Sequence, residues 1–427
     1  MKSKEMLKGV LTAFAVLLAA LVLGAVLMTA VYVLPTGRML TNVDKSFESI
    51  DMEGGSFTWA PGYPGSRLDG YTDNIMLQTA VYQGSEGALR EAMLNRRMNF
   101  PKAQLSPGNA LINYVYGARN GVTESYGRYW HGYLLFLKPL LLFFSLSDIR
   151  MFLMLIQWSF MALLLVCAYR RAGARLVIPL GTAILCLNPV STAMSMQYSS
   201  IYLLMLVFSL IELHLDSFSR ARGWLLYLVL GILTAFFDFL TYPPVAFGIC
   251  IALEVLVSKG NGKEKCLGLL RSGLSWGFGY AGMWSGKWLL GSLLTGQNIL
   301  RDAMQSVEYR SGTQVTAAEG AADTSFFQVL SKNLGVYLGS AYLLLFALLL
   351  GVLLWLLLSK RNRFAPDRSS LAALGLIALV PFIWYFALQN HSSVHYWMTY
   401  RNLSITVMAV TAFFGFSLQK IGGTEHG

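Results

Sequence analysis

Four polar clusters in a strongly apolar chain hold residue types that can do chemistry. The first is Leu68-Asp69-Gly70-Tyr71-Thr72-Asp73-Asn74, two carboxylates four residues apart, followed by apolar Ile75-Met76-Leu77. A helix beginning near Thr72 puts Asp73 in its first turn, where the helix dipole stabilises an anion. A general base or metal ligand needs such fixed placement; a helix cap with solvated acids has the same spacing. The second is Tyr126-Gly127-Arg128-Tyr129-Trp130-His131-Gly132-Tyr133, a guanidinium and an imidazole among aromatic rings at the entry to an apolar segment. Its rings suit an interfacial belt, whereas Arg128 and His131 suit a phosphate or sugar contact.

The third cluster places Asp238 between Phe237 and Phe239, ahead of Thr241-Tyr242-Pro243-Pro244. An ionisable group among apolar residues at membrane depth usually has a partner or a task; the alternative is a helix-end acid reaching water. The fourth runs from Asn390 to Asn402 and holds His391, His395 and Arg401. The two histidines at i, i+4 share a helix face but lack the Glu of the zinc-protease pattern, so the expected use is recognition of a charged headgroup. Lys287, in Trp284-Ser285-Gly286-Lys287-Trp288, reads either as an interfacial anchor or as a point charge for a lipid phosphate.

The elements that must position these groups are membrane helices. The chain has 427 residues, 55% of them hydrophobic and 13% charged, with repeated apolar stretches of about 18 residues or more, the length that crosses a bilayer as helix. The net charge of +11 raises nucleic acid as a partner, but Lys and Arg concentrate in short connections, where they orient membrane proteins. No nucleic acid is therefore expected. Cys167, Cys186, Cys250 and Cys266 lie within or beside apolar segments, so neither a disulfide framework nor a zinc spacing is visible. A basic start (Lys2, Lys4, Lys8) precedes an apolar run longer than a signal core, which predicts a retained first helix over residues 1–34.

Residues 35–128 form a polar loop too long for an ordinary connection. Residues 129–291 and 336–427 carry the other helices, flanking a second polar loop at 292–335 that could cover a cleft. Apolar segments at 151–169, 176–194, 201–215, 224–240, 245–257, 272–290, 336–358, 371–388 and 403–418 bring the total to about ten. With both termini inside, one assignment puts Arg170, Arg171, Arg175, Arg220, Arg222, Lys259, Lys263, Lys265, Lys360, Arg361, Arg363 and Arg368 on the cytoplasmic side. All four clusters then share the outer face of a plasma membrane. The condition is that residues 130–146, which contain Lys138-Pro139, form an interfacial or re-entrant helix and not an eleventh span.

A first helix, a large loop with an acid in a Thr72-Asp73-x-x-Met76-Leu77 context, and a later Tyr126-x-Arg128-Tyr129 leading to Lys138-Pro139-Leu140 resemble the GT-C class of polytopic glycosyltransferases. The resemblance covers residues 1–175 in the order of features. It implies an all-α transmembrane bundle with a partly helical first outer loop, and a sugar moved from a polyprenyl-phosphate donor to a surface glycan or lipid-linked acceptor. It also implies an acid of the first loop as base or as ligand to a divalent cation. Asp73 best matches that acid, Asp69 is the second choice, and Asp238 has no secure counterpart. Arg128, Lys287 and Arg401 supply candidate cations for the phosphate. Two rivals stand beside this reading: a transporter or flippase for a lipid-linked or anionic solute, and a non-catalytic protein of envelope assembly.

Overall fold

A computed structural model describes residues 2–101, 104–215, 223–316, 319 and 323–421; Arg220 and Arg222 lie outside them. The described chain is almost wholly helical. Its strands are two antiparallel pairs of three residues each, Arg97–Asn99 with Val122–Glu124 and Asn362–Phe364 with Leu418–Lys420.

Five helices are long and apolar enough to cross a membrane: Lys4–Tyr32, Leu146–Ala172, Met196–His214, Ala341–Leu358 and Arg368–Ala387. Three shorter apolar helices, Ala174–Leu187, Gly223–Phe237 and Pro244–Val257, accompany them, and a 34-residue helix, Gly262–Thr295, runs alongside. The outward faces of this bundle are apolar. Met151, Leu155 and Val166 on one helix and Leu344, Leu348 and Leu358 on another are exposed, as side chains facing lipid would be. The chain is a multi-helix membrane protein.

Each expected apolar segment is helical, but several are cut shorter than the pattern implied. The segment at 176–194 breaks at Asn188, which sits at φ +59° between Ala174–Leu187 and Pro189–Met194. Pro189 lacks an N–H and disfavours helical backbone in the residue before it. The segment at 224–240 stops at Phe237, one residue short of Asp238. Residues 130–146 contain only the helix Leu134–Leu141. Eight residues span about 12 Å, well short of the ~30 Å hydrocarbon core. Its Lys138 is buried and donates to the Ala80 carbonyl at 2.6 Å.

The bundle has two distinct ends. At one, Lys265 bonds Ser370, the backbone of Ala365 meets that of Ser417, and Gly415 packs on Arg175. This basic end gathers the short Lys- and Arg-rich connections. At the other, Asn188 donates to Gly65, Arg401 to Leu187, Lys287 to Met93, and Trp288 to Arg128. All four polar clusters therefore lie at this second, site end. The first long loop folds there as short helices, chiefly Phe47–Glu53, Gly70–Val81, Ala88–Leu94 and Pro107–Val115, packed on the first helix through a core that includes Met28, Leu77, Met93 and Trp130.

Candidate functional site

The helix carrying the first two acids begins at Gly70, so Asp69 is its N-cap and Asp73 lies in its first turn. Asp69 accepts from the Thr72 backbone N–H at 3.1 Å and from the Thr72 hydroxyl at 3.0 Å, the usual way a cap satisfies an orphan donor. Both acids are buried, not solvated. Asp69 is 8% exposed and lies within electrostatic reach of Arg67 and Arg401. Asp73 is 1% exposed, and its oxygens accept from the backbone N–H groups of Met196 and Gln197 at 3.1 and 3.2 Å and from Arg150 at 3.3 Å. That Arg150 is bidentate to Glu53. Asp73 thus ties the loop to the positive end of the Met196–His214 helix, and its acceptor positions are spent. Burial raises both carboxyls, Asp73 to about 7 against the opposing pull of Arg150.

Around Asp69 stands a group of cations and rings drawn from three stretches of the chain. The Arg401 guanidinium stacks 4.1 Å from the Tyr198 ring and 4.9 Å from that of Tyr400, and donates to the carbonyls of Leu187 and Trp397. Arg67 lies 3.9 Å over Trp397. His395 is 5.3 Å from the Trp397 ring and 4.9 Å from His391. Much hydrogen-bonding capacity here is unspent: Arg67 Nε, Arg401 Nη2, the Tyr198 hydroxyl and the Trp397 indole N–H are buried without a hydrogen bond among the described residues. Both ring nitrogens of His391 are likewise without a close one, beyond a longer approach to the Leu240 backbone. Buried polar atoms are nearly always paired, so this cluster holds polar capacity that the described residues do not use.

Arg310 extends this group outward. It pairs with Glu319 at 3.1 Å, bonds Asn390, and acts electrostatically on both His391 and His395. Burial holds the two imidazoles below their ordinary range, His395 at about 3. Arg310 and Arg128 line a cleft with Tyr129, Leu240, Trp284 and Trp288, one wall of which is the Ile299–Ser311 helix. Arg128 is held by Asp302 at 3.2 Å and lies over the rings of Tyr126 and Tyr129.

The remaining expected site residues are held by the protein. His131 uses both ring nitrogens, on the Tyr133 hydroxyl at 3.1 Å and the Tyr126 carbonyl at 2.9 Å. Lys287 is fully buried and donates to Ala92 and Met93 at 3.2 and 2.9 Å, carbonyls in the last turn of Ala88–Leu94, where a cation is favoured. Asp238 is buried and accepts from the backbone N–H and hydroxyl of Thr241, closing a turn in which Leu240 is forced to φ +69°.

Among the described residues no group of three or more His, Cys, Asp or Glu side chains could hold a metal ion. Arg67, Tyr198 and Trp397 were not anticipated as site residues. Arg67 stands two residues before Asp69, and that proximity was a usable signal; Tyr198 looks like any aromatic at a helix start. No family model, no curated protein and no solved structure matches the chain.

Proposed function

We propose that this chain is a membrane glycosyltransferase of GT-C type. It moves a sugar from a polyprenyl-phosphate-type donor to a surface glycan or lipid-linked acceptor, on the outer face of the plasma membrane. The observation that carries the reading is Asp69, a buried carboxylate facing Arg67 and Arg401 amid polar atoms with unspent hydrogen bonds. Such a transfer needs a base at the acceptor hydroxyl, cations at the departing phosphate, and a dry setting that strengthens both. The basic end of the bundle supports a cytoplasmic placement for that end, which puts the site end outside.

In this reading Asp69 takes the proton of the acceptor hydroxyl as its oxygen bonds the anomeric carbon. The bond from that carbon to the phosphate oxygen breaks, and the lipid phosphate leaves with the electron pair. Arg401 and Arg67, with Arg310 and Arg128 further out, stabilise the growing negative charge. The tyrosine and tryptophan rings stack on sugar faces. Asp69 takes the base role and not Asp73, because the Asp73 oxygens are already occupied by two backbone N–H groups and a guanidinium, whereas those of Asp69 accept only from Thr72.

The test is transfer of labelled sugar from polyprenyl-phosphate donors by the purified protein. Asp69→Asn is expected to lower the rate by about 10²–10⁴-fold with little change in thermal unfolding. Asp73→Asn is expected to lower the unfolding temperature, and Asp238→Asn to act through its turn. Undiminished transfer by Asp69→Asn removes the base assignment; no transfer by the wild-type chain from any such donor removes the function.

A further inference from the structure

A second cleft opens against the helix that Asp69 caps. Three helices enclose it: Phe47–Glu53, Gly70–Val81 and Pro107–Val115. Its lining includes Asp51, Tyr71, Asn74, Ser106, Asn109 and Ile112, with Gly54, Gly55 and Gly108 keeping the walls low. Gln78 fixes the last two helices together by donating to the Pro107 carbonyl at 2.7 Å. A Cβ on Gly108 would stand 3.0 Å from the Asn74 amide nitrogen, and one on Gly70 would stand 2.9 Å from the Gly54 carbonyl, so any side chain there would fill the space.

Asn74 is the telling residue. It is 4% exposed, yet its carboxamide lines the cleft and makes no hydrogen bond to a described residue. A primary amide has two donor and two acceptor positions, and those of Asn74 open to the cleft and are not sealed among the buried polar atoms that lack a partner. The rest of the lining defines what would meet them. It offers a second amide, a carboxylate, a hydroxyl, a half-exposed phenol ring and two isoleucine side chains. Among the described lining residues there is no Lys or Arg, which disfavours an anion. Amide and carboxylate groups read vicinal hydroxyls, while a phenol ring and aliphatic groups cover the C–H face of a pyranose.

We infer that this cleft binds an uncharged pyranose, and that it is the acceptor-sugar subsite of the proposed transferase. The inference rests on the transferase reading for the word acceptor, but not for the sugar. Asn74 and Asp69 belong to one helix, about one to two turns apart, and the Tyr71 phenol on that helix lies within electrostatic reach of Asp69, Arg97 and Tyr126. A sugar held by Asn74 and Tyr71 can therefore extend a hydroxyl toward the base.

Saturation-transfer NMR on the full chain in detergent, with lactose and N,N′-diacetylchitobiose as probes, tests the cleft directly. At least one disaccharide is expected to give signal. Asn74→Ala and the exposed-site variant Asn109→Ala are expected to cut it at least fivefold, while Asp69→Asn leaves it intact. Asn109 is exposed, so its variant reports even if Asn74→Ala misfolds. No signal from either sugar, or signal unaffected by both cleft variants, overturns the cleft. Sugar binding by a wild-type protein that transfers nothing keeps the cleft and removes the transferase. Transfer with an unchanged acceptor KM in both cleft variants does the reverse.

Discussion

His391 and His395 sit buried with Arg310 nearby, and both circumstances disfavour the charged imidazole. A base whose folded-state pKa lies below its unfolded value of about 6.5 contributes stability that is complete above that value. The contribution is lost as pH falls toward the folded value. Between pH 7 and pH 5 each imidazole is expected to cost about 2 kcal/mol of stability. Asp73, with its carboxyl raised to about 7, acts in the opposite sense over the same range, so the comparison must be between variants. A His391→Gln, His395→Gln double variant is expected to lose less unfolding temperature than wild type on acidification. Parallel pH profiles would mean that the imidazoles are already solvated. At this scale the sequence was informative about which residues stand at one end and poor about what they touch. The expected topology put Asp69, Arg401 and the two histidines on one face, and the structure places them at one end, but spacing could not tell that Lys287 would be held by backbone carbonyls and His131 by a carbonyl and a hydroxyl. The carbonyls that hold Lys287 come from a segment far away in the chain and no local pattern reports them, whereas the partners of His131 are its own neighbours.

Helix pairing sets where those residues stand. Gly223–Phe237 lies against Gly262–Thr295 so closely that a Cβ on Gly231 would fall 2.1 Å from the Trp276 carbonyl, and one on Gly279 would fall 2.4 Å from the Leu228 carbonyl. Small residues permit this approach between membrane helices, where packing and not hydrophobic burial holds helices together. Gly231→Ala and Gly279→Ala are each expected to destabilise by about 1–3 kcal/mol, seen as a lower unfolding temperature in detergent. Gly277→Ala, where nothing lies within 4 Å, is expected to be neutral or slightly stabilising. Equal behaviour of all three would show that the two helices do not meet there. The pairing also aims the ladder Trp276, Tyr280, Trp284, Trp288, whose successive rings lie 5.0, 5.4 and 5.9 Å apart. Helix existence was legible from apolar runs. Helix ends were less so: Asn188-Pro189 and Asp238 cut two segments short because proline and side-chain capping act at single residues within an otherwise uniform pattern.

For the whole molecule, one arrangement accounts for the basic connections at one end and the polar clusters at the other. In a cysteine-free background, single cysteines replacing Met52 and Tyr116, both strongly exposed, are expected to react with a membrane-impermeant thiol reagent on intact cells. Cysteines replacing Arg171 and Arg361 are expected to react only after permeabilisation. Reversed labelling would place the site end in the cytoplasm and end the reading of a donor used outside. The sequence by itself determined that this is a membrane protein of many helices with a large first loop. Hydrophobic length and charge placement are local quantities, and the bilayer reads them segment by segment. Only the tertiary structure decided which partners each acid meets. Asp69 and Asp73 are four residues apart and chemically identical, yet one meets Arg67 and Arg401 while the other is spent on the Met196 helix start and Arg150. What separates them is partners brought from elsewhere in the chain, Arg401 toward Asp69 and Arg150, Met196 and Gln197 onto Asp73. That difference arises from packing and cannot be written in the spacing.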